Sequence, residues 1–399
     1  MPFPKDFLWG TATAAHQVEG NNTNSDWWKW EQSKDYKTGK NKLTGQDQKW
    51  PLEPSGDACD SYNRYEEDFD LCKQMNNNAV RFSVEWARLE PEEGKFSDKE
   101  FDHYKKVIAA AKKRGLKVFL TLHHFTNPQW FAEKGSWAKK SNIKYFTRYA
   151  KKCAEEFGET VEVYLTINEP QVYALESYYV GEWYPGEKSF IKSTQVQFNL
   201  IKAHKEAYKA IKSVDSHYIV GIVQHVVWNE TTSKFYAFWD HLYTDLMNYF
   251  SSTFILAPLR KHMDVIGINY YFTGRRKNFK SVNKNDWTSD MNWWIYPDGL
   301  FNILMRLKKY KIPVYVTENG IADENDKHRE RFLNEMIFAC DRAIHGGVDL
   351  RGYFYWSLLD NYEWHQGYWP KFGLVEIDRK NNLERKPRKS FYYYARQSQ

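Results

Sequence analysis

The chain has 399 residues, of which 42% are hydrophobic and 27% charged, so it is long enough to bury the core of a large globular domain. Its formal net charge of +6 is modest and its lysines are spaced as on solvated helix faces, so we expect no nucleic-acid partner. No stretch approaches the roughly eighteen consecutive apolar residues of a membrane span. The first residues lack the features of a signal peptide, and we expect a cytoplasmic protein.

Residues that commonly hold metals or cofactors show no recognisable spacing. The cysteines are scattered, which favours buried single thiols over a disulfide framework; they are Cys59, Cys72, Cys153 and Cys340. His123 and His124 are adjacent but have no carboxylate or cysteine at ligand spacing. No glycine-rich phosphate-binding stretch follows a β-rich run. We therefore expect no metal and no cofactor.

Aromatic side chains are abundant, with 17 Trp and 28 Tyr. A large core accounts for part of this number. Aromatic rings also pack against the C–H faces of pyranose rings, while polar groups bind the hydroxyls around them. The composition therefore favours a small-molecule substrate of the sugar class.

Eight β-rich runs follow one another along the chain, and helical patterns separate most of them. The runs are Phe7–Ala15, Ala79–Val84, Lys117–Leu122, Val161–Ile167, Tyr218–Val223, Met263–Asn269, Ile312–Val316 and Gly352–Trp356. The helical patterns are Tyr62–Met75, Asp98–Arg114, Ile143–Phe157, Gln195–Ser213, Gly299–Lys309 and His328–His345. We predict a polar loop at about residues 21–57 and an irregular segment at about 235–256. This alternation predicts an α/β fold with one (β/α)8 TIM barrel, in a single domain over residues 1–399.

Two of the β-rich runs lead into a glutamate, Glu169 and Glu318. A carboxylate at the end of a buried strand is costly unless it has partners, and active sites of α/β barrels lie at strand carboxyl ends. For Glu318 alone, a role in capping the next turn or pairing with an arginine explains the pattern equally well. The two together match a two-carboxylate glycosidase, in which one carboxyl group protonates the leaving oxygen and the other meets the sugar carbon.

Further side chains that suit sugar binding lie near the ends of the runs. They are Arg81, His124, Asn168, Asn269, Tyr271 and Trp356. Each has a structural alternative: a buried counter-charge for the arginine, a core histidine, or packing for the aromatic residues. The functional interpretation is favoured because a parallel barrel brings all of these strand ends to one face.

The segments at residues 166–170 (Thr-Ile-Asn-Glu-Pro) and 316–320 (Val-Thr-Glu-Asn-Gly) resemble the two signature motifs of glycoside hydrolase family 1, the retaining β-glycosidases. The resemblance covers the whole chain, because further family motifs occur in the same order. They lie at residues 7–12, 16–20, 81–83, 121–125, 267–271 and 355–364.

The resemblance implies a (β/α)8 barrel that hydrolyses terminal β-D-glucosyl residues, and galactosyl or fucosyl residues as well, through a covalent glycosyl-enzyme. It implies that Glu318 is the nucleophile and Glu169 the acid/base. It also implies substrate-binding roles for Gln17, His124, Asn168, Tyr271, Trp356, Glu363 and Trp364, and support of the nucleophile by Arg81 and Asn269.

The family mechanism sets physical requirements for the two glutamates. Arg81 and the Tyr271 hydroxyl should keep Glu318 ionised and oriented. Glu169 must begin the reaction protonated. Retention of configuration implies that the two carboxyl groups lie about 5–5.5 Å apart.

The chain departs from the family pattern at a few positions. Phe125 stands where many members have tryptophan. Trp183 and Tyr184 follow the Glu169 motif and are candidates for the leaving-group side of the site, although a packing role explains them equally well.

Four other functions deserve comparison with a β-glycosidase. In 6-phospho-β-glycosidases of the family a serine stands at the position of Glu363, whose carboxylate would repel a phosphate dianion. Thioglucosidases carry glutamine at the position of Glu169. A sugar-binding protein without activity would be favoured by the loss of either glutamate, and both are present. An enzyme that mainly transfers the sugar to another sugar remains open, because acceptor and water compete for the same intermediate.

Overall fold

The computed structural model describes residues 3–33, 53–231, 237–277, 280–282 and 287–398. Residues 34–52 of the predicted polar loop therefore lie outside the described residues. The strands are β1 (Leu8–Ala12), β2 (Ala79–Ser83), β3 (Lys117–His123), β4 (Val163–Asn168), β5 (Val220–His225), β6 (Trp228–Thr231), β7 (Val265–Asn269), β8 (Thr273–Lys277), β9 (Lys280–Ser281), β10 (Val314–Asn319), β11 (Leu350–Trp356), β12 (Val375–Asp378) and β13 (Glu384–Pro387).

Helices separate most of these strands. They are α1 (Ala15–Val18), α2 (Asp26–Glu31), α3 (Ser61–Gln74), α4 (Trp86–Leu89), α5 (Asp98–Lys113), α6 (Gln129–Glu133), α7 (Ile143–Phe157), α8 (Pro170–Leu175), α9 (Phe190–Val214), α10 (Ala237–Ser252), α11 (Pro297–Leu307), α12 (Arg329–His345) and α13 (Lys389–Gln397).

Eight parallel strands close into a barrel in the order β1-β11-β10-β7-β5-β4-β3-β2. Closure occurs at β1, where Ala12 pairs with Arg81 on one side and with Trp356 on the other. The barrel strands are almost entirely buried, as expected for strands covered on both faces. The predicted (β/α)8 barrel is confirmed.

The core has two layers. One cluster of buried side chains fills the barrel interior. It includes Phe119, whose ring lies 5.0 Å from that of Tyr315 and 4.8 Å from that of Phe354. A larger cluster lies between the strands and the helices. Packed layers of side chains inside the barrel fix the height and direction of the strand ends, and so fix the positions of the groups attached to them.

The predicted helices all occur, with ends displaced by a few residues. Predicted helix His328–His345 is α12, and Gly347 after it adopts φ 81, the left-handed conformation that suits a helix end. The prediction of irregular structure at residues 235–256 is wrong, because α10 fills most of that segment. Its inward-facing residues are polar, so it lacks the apolar stripe that identifies a helix packed on a barrel.

Candidate active site

The carboxyl ends of the barrel strands bring the predicted site residues to one mouth. Asn168 and Asn269 are the last residues of β4 and β7, and Trp356 is the last residue of β11. Glu318 is the last residue but one of β10, and Glu169 directly follows β4. All five side chains belong to buried residues. The strand order therefore assembles residues that are far apart in the sequence.

Glu318 is held through both of its carboxyl oxygens. Arg81 Nη1 donates to Oε1 at 2.5 Å, and the Tyr271 hydroxyl donates to Oε2 at 2.5 Å. Arg81 also donates to the backbone carbonyl of Thr317 at 3.2 Å. A Cβ at Gly320 would lie 1.7 Å from the carbonyl oxygen of Trp356, so only glycine lets the ends of β10 and β11 approach this closely. These contacts fix the carboxyl group in one orientation.

Opposing effects act on the charge of Glu318. The net result is a pKa raised to about 7, chiefly because the group is buried and secondly because the carboxyl group of Glu169 is near. The charge of Arg81 and the hydrogen bonds from Tyr271 and Arg81 lower the pKa. The expected stabilisation of the ionised form is therefore present, and it offsets the effect of burial only in part.

Glu169 lies at the start of α8 in a left-handed conformation, with φ 43. This conformation is unusual for a residue other than glycine, and it is often found at functional sites. Oε1 of Glu169 accepts a hydrogen bond from Asn269 Nδ2 at 2.7 Å. The bond comes from β7, a strand separated from β4 by β5, and it orients the carboxyl group.

Asn168 links the two glutamates and a histidine. Its Oδ1 accepts from Arg81 Nη2 at 2.7 Å and from Asn269 Nδ2 at 3.2 Å. This places Nδ2 of Asn168 3.2 Å from Nε2 of His124. The amide nitrogen is a donor, so Nε2 of His124 accepts and the proton of the neutral ring is assigned to Nδ1.

The neutral form of His124 follows from its surroundings. Burial lowers its pKa well below the usual value, and the charges of Arg81 and His123 act in the same direction. Nδ1 of His124 has no hydrogen-bond partner among the described residues. The ring stacks near Trp356 and Trp364, with ring centroids 6.0 and 6.1 Å away.

Gln17 and Glu363 join the start of the chain to the loop after β11. Nε2 of Gln17 donates to the Tyr362 carbonyl at 2.8 Å, to Asn361 Oδ1 at 3.1 Å and to Glu363 Oε2 at 3.3 Å. Burial raises the pKa of Glu363 to about 8, with further contributions from Glu318 and Glu169. Three carboxyl groups thus influence one another in this site.

Trp364 is surrounded by aromatic rings. His16 stacks on it with ring centroids 5.8 Å apart and an angle of 8° between the planes, and Trp27 lies 4.9 Å away. Phe125 and Trp183 lie 5.2 and 5.4 Å from it. Trp183 therefore packs against a predicted substrate-binding residue. Tyr184 instead packs near Trp30, at 6.1 Å.

His225 is a further site residue that was not predicted. It is the last residue of β5 and lies between Asn168 and Asn269 in strand order. Its Nδ1 is 3.5 Å from Glu169 Oε1, and its ring is 6.2 Å from that of Tyr271. The predicted strand ends at Val223, whereas β5 continues to His225. A histidine two residues beyond a predicted strand end is the sequence feature that could have indicated this site residue. Within the part of the chain described, no cluster of three or more His, Cys, Asp or Glu side chains could hold a metal ion.

Comparison with known proteins identifies the class of enzyme. The model of glycosyl hydrolase family 1 matches residues 1–240 and 246–398. The chain therefore belongs to glycosyl hydrolase family 1 and is a family 1 glycosidase, as the sequence motifs predicted.

Three relatives illustrate the similarity. Beta-glucosidase A of Acetivibrio thermocellus is 31% identical and aligns over 99% of this chain and 97% of its own length. A beta-glycosidase from Pyrococcus horikoshii superposes with a TM-score of 0.88 and 35% identity, over 100% of this chain and 95% of that chain. A chloroplastic galactolipid galactosyltransferase of Arabidopsis thaliana is 30% identical over 82% of this chain and 56% of its own length.

Proposed function

We propose that this enzyme is a retaining β-glycosidase that releases terminal β-D-glucosyl residues, and galactosyl and fucosyl residues as well, from β-glycosides or short oligosaccharides. Glu318 is the nucleophile and Glu169 the acid/base. The observation that carries the proposal is the different support of two buried glutamates at one barrel mouth. The charged side chain of Arg81 and the hydroxyl of Tyr271 donate hydrogen bonds to the two carboxyl oxygens of Glu318. Glu169 instead accepts a hydrogen bond from the neutral side-chain amide of Asn269.

These surroundings suit the two steps of a double displacement. Arg81 and Tyr271 favour an ionised, correctly turned Glu318 that attacks the anomeric carbon. Glu169 protonates the leaving oxygen and then takes a proton from water, which attacks the same face that the leaving group left. Formation of the ester removes the negative charge of Glu318, and Glu169, which has given up its proton to the leaving group, then acts as the base for water.

Several groups offer contacts to the sugar. Oε1 of Gln17 and Nδ1 of His124 have no hydrogen-bond partner among the described residues, and buried polar atoms are normally paired. Sugar hydroxyls would supply those partners. The indole of Trp356 is an apolar surface suited to the C–H face of the ring. Glu363 accepts hydrogen bonds from the 4- and 6-hydroxyls in this assignment.

The decisive experiment replaces Glu318 by glycine and adds azide with an activated aryl β-glucoside. Glu318→Gly should nearly abolish hydrolysis, and azide should fill the space of the missing carboxylate and give the α-glucosyl azide. Glu169→Ala is the matched control. Its nucleophile is intact, so azide should attack the glucosyl-enzyme and give the β-azide. A β-azide from Glu318→Gly would exclude Glu318 as the nucleophile.

The assignment of Glu169 is tested with leaving groups of different quality. Glu169→Ala should lose most of its activity on alkyl glucosides. With dinitrophenyl glucoside the variant should retain much of its rate of glycosyl-enzyme formation, because this leaving group needs no proton. Equal losses on both substrates would contradict the role of acid. The rates of glucoside, galactoside, fucoside, mannoside and 6-phosphoglucoside under the same conditions define the sugar preference.

A second candidate function is transfer of the sugar to another sugar. It is supported by the 30% identity to a galactolipid galactosyltransferase, whose name describes a transfer reaction. Both functions use the same glycosyl-enzyme and differ in what attacks it. Product analysis with a sugar acceptor distinguishes them: transfer predicts a disaccharide in excess of free sugar at millimolar acceptor, and hydrolysis predicts mostly free sugar.

A further inference from the structure

Helix α10 carries a row of large apolar side chains on its solvent side. We define the α10 apolar face as Phe238, Trp239, Leu242, Leu246, Tyr249 and Phe250, which are 45–70% exposed. Trp239, Leu242, Leu246 and Tyr249 are spaced three or four residues apart, so they lie along one side of the helix. A contiguous apolar surface of this kind marks an interaction site more often than single exposed residues do.

The opposite side of α10 is polar and buried. Asp240, Thr244, Asn248 and Ser252 are at most 4% exposed and recur every four residues. An ordinary surface helix of a globular protein shows the reverse arrangement, with its apolar stripe inward and its polar side outward. The orientation of α10 is therefore inverted with respect to its amphipathic pattern.

Specific hydrogen bonds hold α10 in this orientation. Asn248 Nδ2 donates to the Asn229 carbonyl at 2.8 Å, and Asn248 Oδ1 accepts from the Asn229 amide at 2.7 Å. The hydroxyl of Ser251 accepts from the backbone amide of Val227 at 2.7 Å. These bonds satisfy backbone groups in and beside β6, which lies at an edge of the small β6-β8-β9 sheet. The inward polar side pairs with the strand, and the apolar side is left outward.

The apolar surface continues onto α9. Phe254 lies 5.4 Å from Phe250 and 6.0 Å from Phe198, measured between ring centroids. Phe198 is 54% exposed, and Ile191, seven residues before it on the same side of α9, is 78% exposed. The surface therefore extends over two helices.

Cationic side chains border this surface. The Arg276 guanidinium lies 4.4 Å from the centre of the Tyr243 ring, and Lys309 Nζ donates to Thr253 Oγ1 at 3.0 Å. Exposed Lys202 follows Phe198 by one turn of α9. The exposed acid Asp245 lies 3.3 Å from Arg306 Nη2, so its charge is compensated.

We propose that the α10 apolar face binds to the surface of an anionic lipid membrane. Its aromatic and leucine side chains would enter the boundary between headgroups and acyl chains, and Lys202, Arg276 and Lys309 would meet lipid phosphates. If two copies of this face packed against each other, their positively charged borders would repel, which disfavours self-association. None of the described helices is long and apolar enough to cross a membrane.

Co-sedimentation with lipid vesicles tests the proposal. The full chain is mixed with vesicles of phosphatidylcholine alone, or of phosphatidylcholine with about 30% phosphatidylglycerol, at low and high salt. We expect binding to the anionic vesicles, at least tenfold weaker binding to the neutral vesicles, and weaker binding at high salt because the salt screens the cations. Equal binding to both vesicle types would overturn the role of the cationic border.

Substitutions locate the binding surface. Leu242→Gln combined with Leu246→Gln should lower vesicle binding at least tenfold. The matched control combines Phe338→Gln and Tyr392→Gln, which remove exposed aromatic residues from α12 and α13 and should leave binding unchanged. Circular dichroism and thermal melting establish that both double variants are folded. If the two variants bind vesicles equally well, the α10 apolar face is not the site.

A spectroscopic measurement identifies the face directly. Lipids brominated in the acyl chain should quench tryptophan fluorescence on binding, and Trp239→Leu should remove most of that quenching while the chain still sediments with the vesicles. Analytical ultracentrifugation without lipid tests the alternative that the face binds a second copy of the chain. A dimer that forms at micromolar concentration and is lost in Leu242→Gln, Leu246→Gln would assign the face to a second copy of the chain and overturn the membrane proposal.

Discussion

Asn269 donates its side-chain amide to Oε1 of Glu169 over 2.7 Å, from a residue 100 positions further along the chain. The direction of this amide is itself fixed, because Thr317 donates to Asn269 Oδ1 at 2.8 Å. The same amide nitrogen lies 3.2 Å from Asn168 Oδ1. Orientation of the proposed acid therefore depends on a strand that contributes neither of the two glutamates.

Removing that amide should impair the proton transfer more than the attack on the sugar. For Asn269→Ala we expect kcat/KM to fall about tenfold on alkyl glucosides, which corresponds to about 1.4 kcal/mol for one lost hydrogen bond. The loss on dinitrophenyl glucoside should be clearly smaller. The control is Asn319→Ala: Asn319 is equally buried but bonds to Tyr270 and Tyr353. If Asn269→Ala loses as much activity on dinitrophenyl glucoside as on alkyl glucosides, and Asn319→Ala behaves in the same way, Asn269 has only a structural role.

Tyr271→Phe should shift the acidic limb of the pH–rate profile. The hydroxyl of Tyr271 lowers the pKa of Glu318, so its loss raises that pKa and leaves less of the ionised nucleophile at low pH. We expect the acidic limb of kcat/KM to move upward by about 0.5–1 pH unit, as expected for one hydrogen bond of about 1 kcal/mol. Tyr270→Phe is the control, since Tyr270 bonds to Thr273 and the Tyr296 carbonyl. An unchanged limb in Tyr271→Phe would contradict this assignment.

Glu363→Ser tests the recognition of the sugar. Loss of the hydrogen bonds from Glu363 to the 4- and 6-hydroxyls should lower kcat/KM on β-glucoside roughly ten- to a hundredfold. The loss should be much smaller on β-fucoside, which lacks the 6-hydroxyl. Activity on the 6-phosphoglucoside should rise relative to glucoside, because a carboxyl group that repels phosphate when ionised is gone. A uniform fall on all three substrates would mean that Glu363 only supports its loop.

Glu363→Gln should change the pH dependence of stability. The pKa of Glu363 is raised from 4.5 to about 8 in the folded chain, so its contribution to stability is complete below pH 4.5 and is lost as the pH rises through about 8. Glutamine cannot ionise and avoids that loss. We expect the variant to be as stable as the parent at pH 4 and more stable by about 1–2 kcal/mol at pH 9, a difference kept small because the Glu363 side chain is only half-buried and solvent screens its charge. Thermal melting at both pH values measures this difference, and a variant less stable at pH 9 would refute it.

The architecture was largely predictable because it follows from local patterns. Eight β-rich runs separated by helical patterns predicted the barrel, and strand ends such as Glu169 and Glu318 predicted which face carries the chemistry. Parallel barrel strands all point their carboxyl ends the same way, so position along a strand is enough to place a residue at the mouth. The motifs around both glutamates also predicted the enzyme family.

Other features depended on contacts between distant segments. Nothing local to Asn269 shows that it bonds to Glu169, and His225 reaches the site only because β5 lies between β4 and β7. The pKa of Glu363 rises because folding buries it near two other carboxyl groups.

The orientation of α10 could not be predicted from local sequence either, because it depends on hydrogen bonds between the polar side of the helix and the backbone of β6. The sequence by itself determined the repeating strand–helix order, the family and the choice of the two glutamates as candidates, because each follows from a pattern of neighbouring residues. Only the tertiary structure decided hydrogen-bond partners, burial and the direction of each helix face, because these depend on which distant segments meet when the barrel closes.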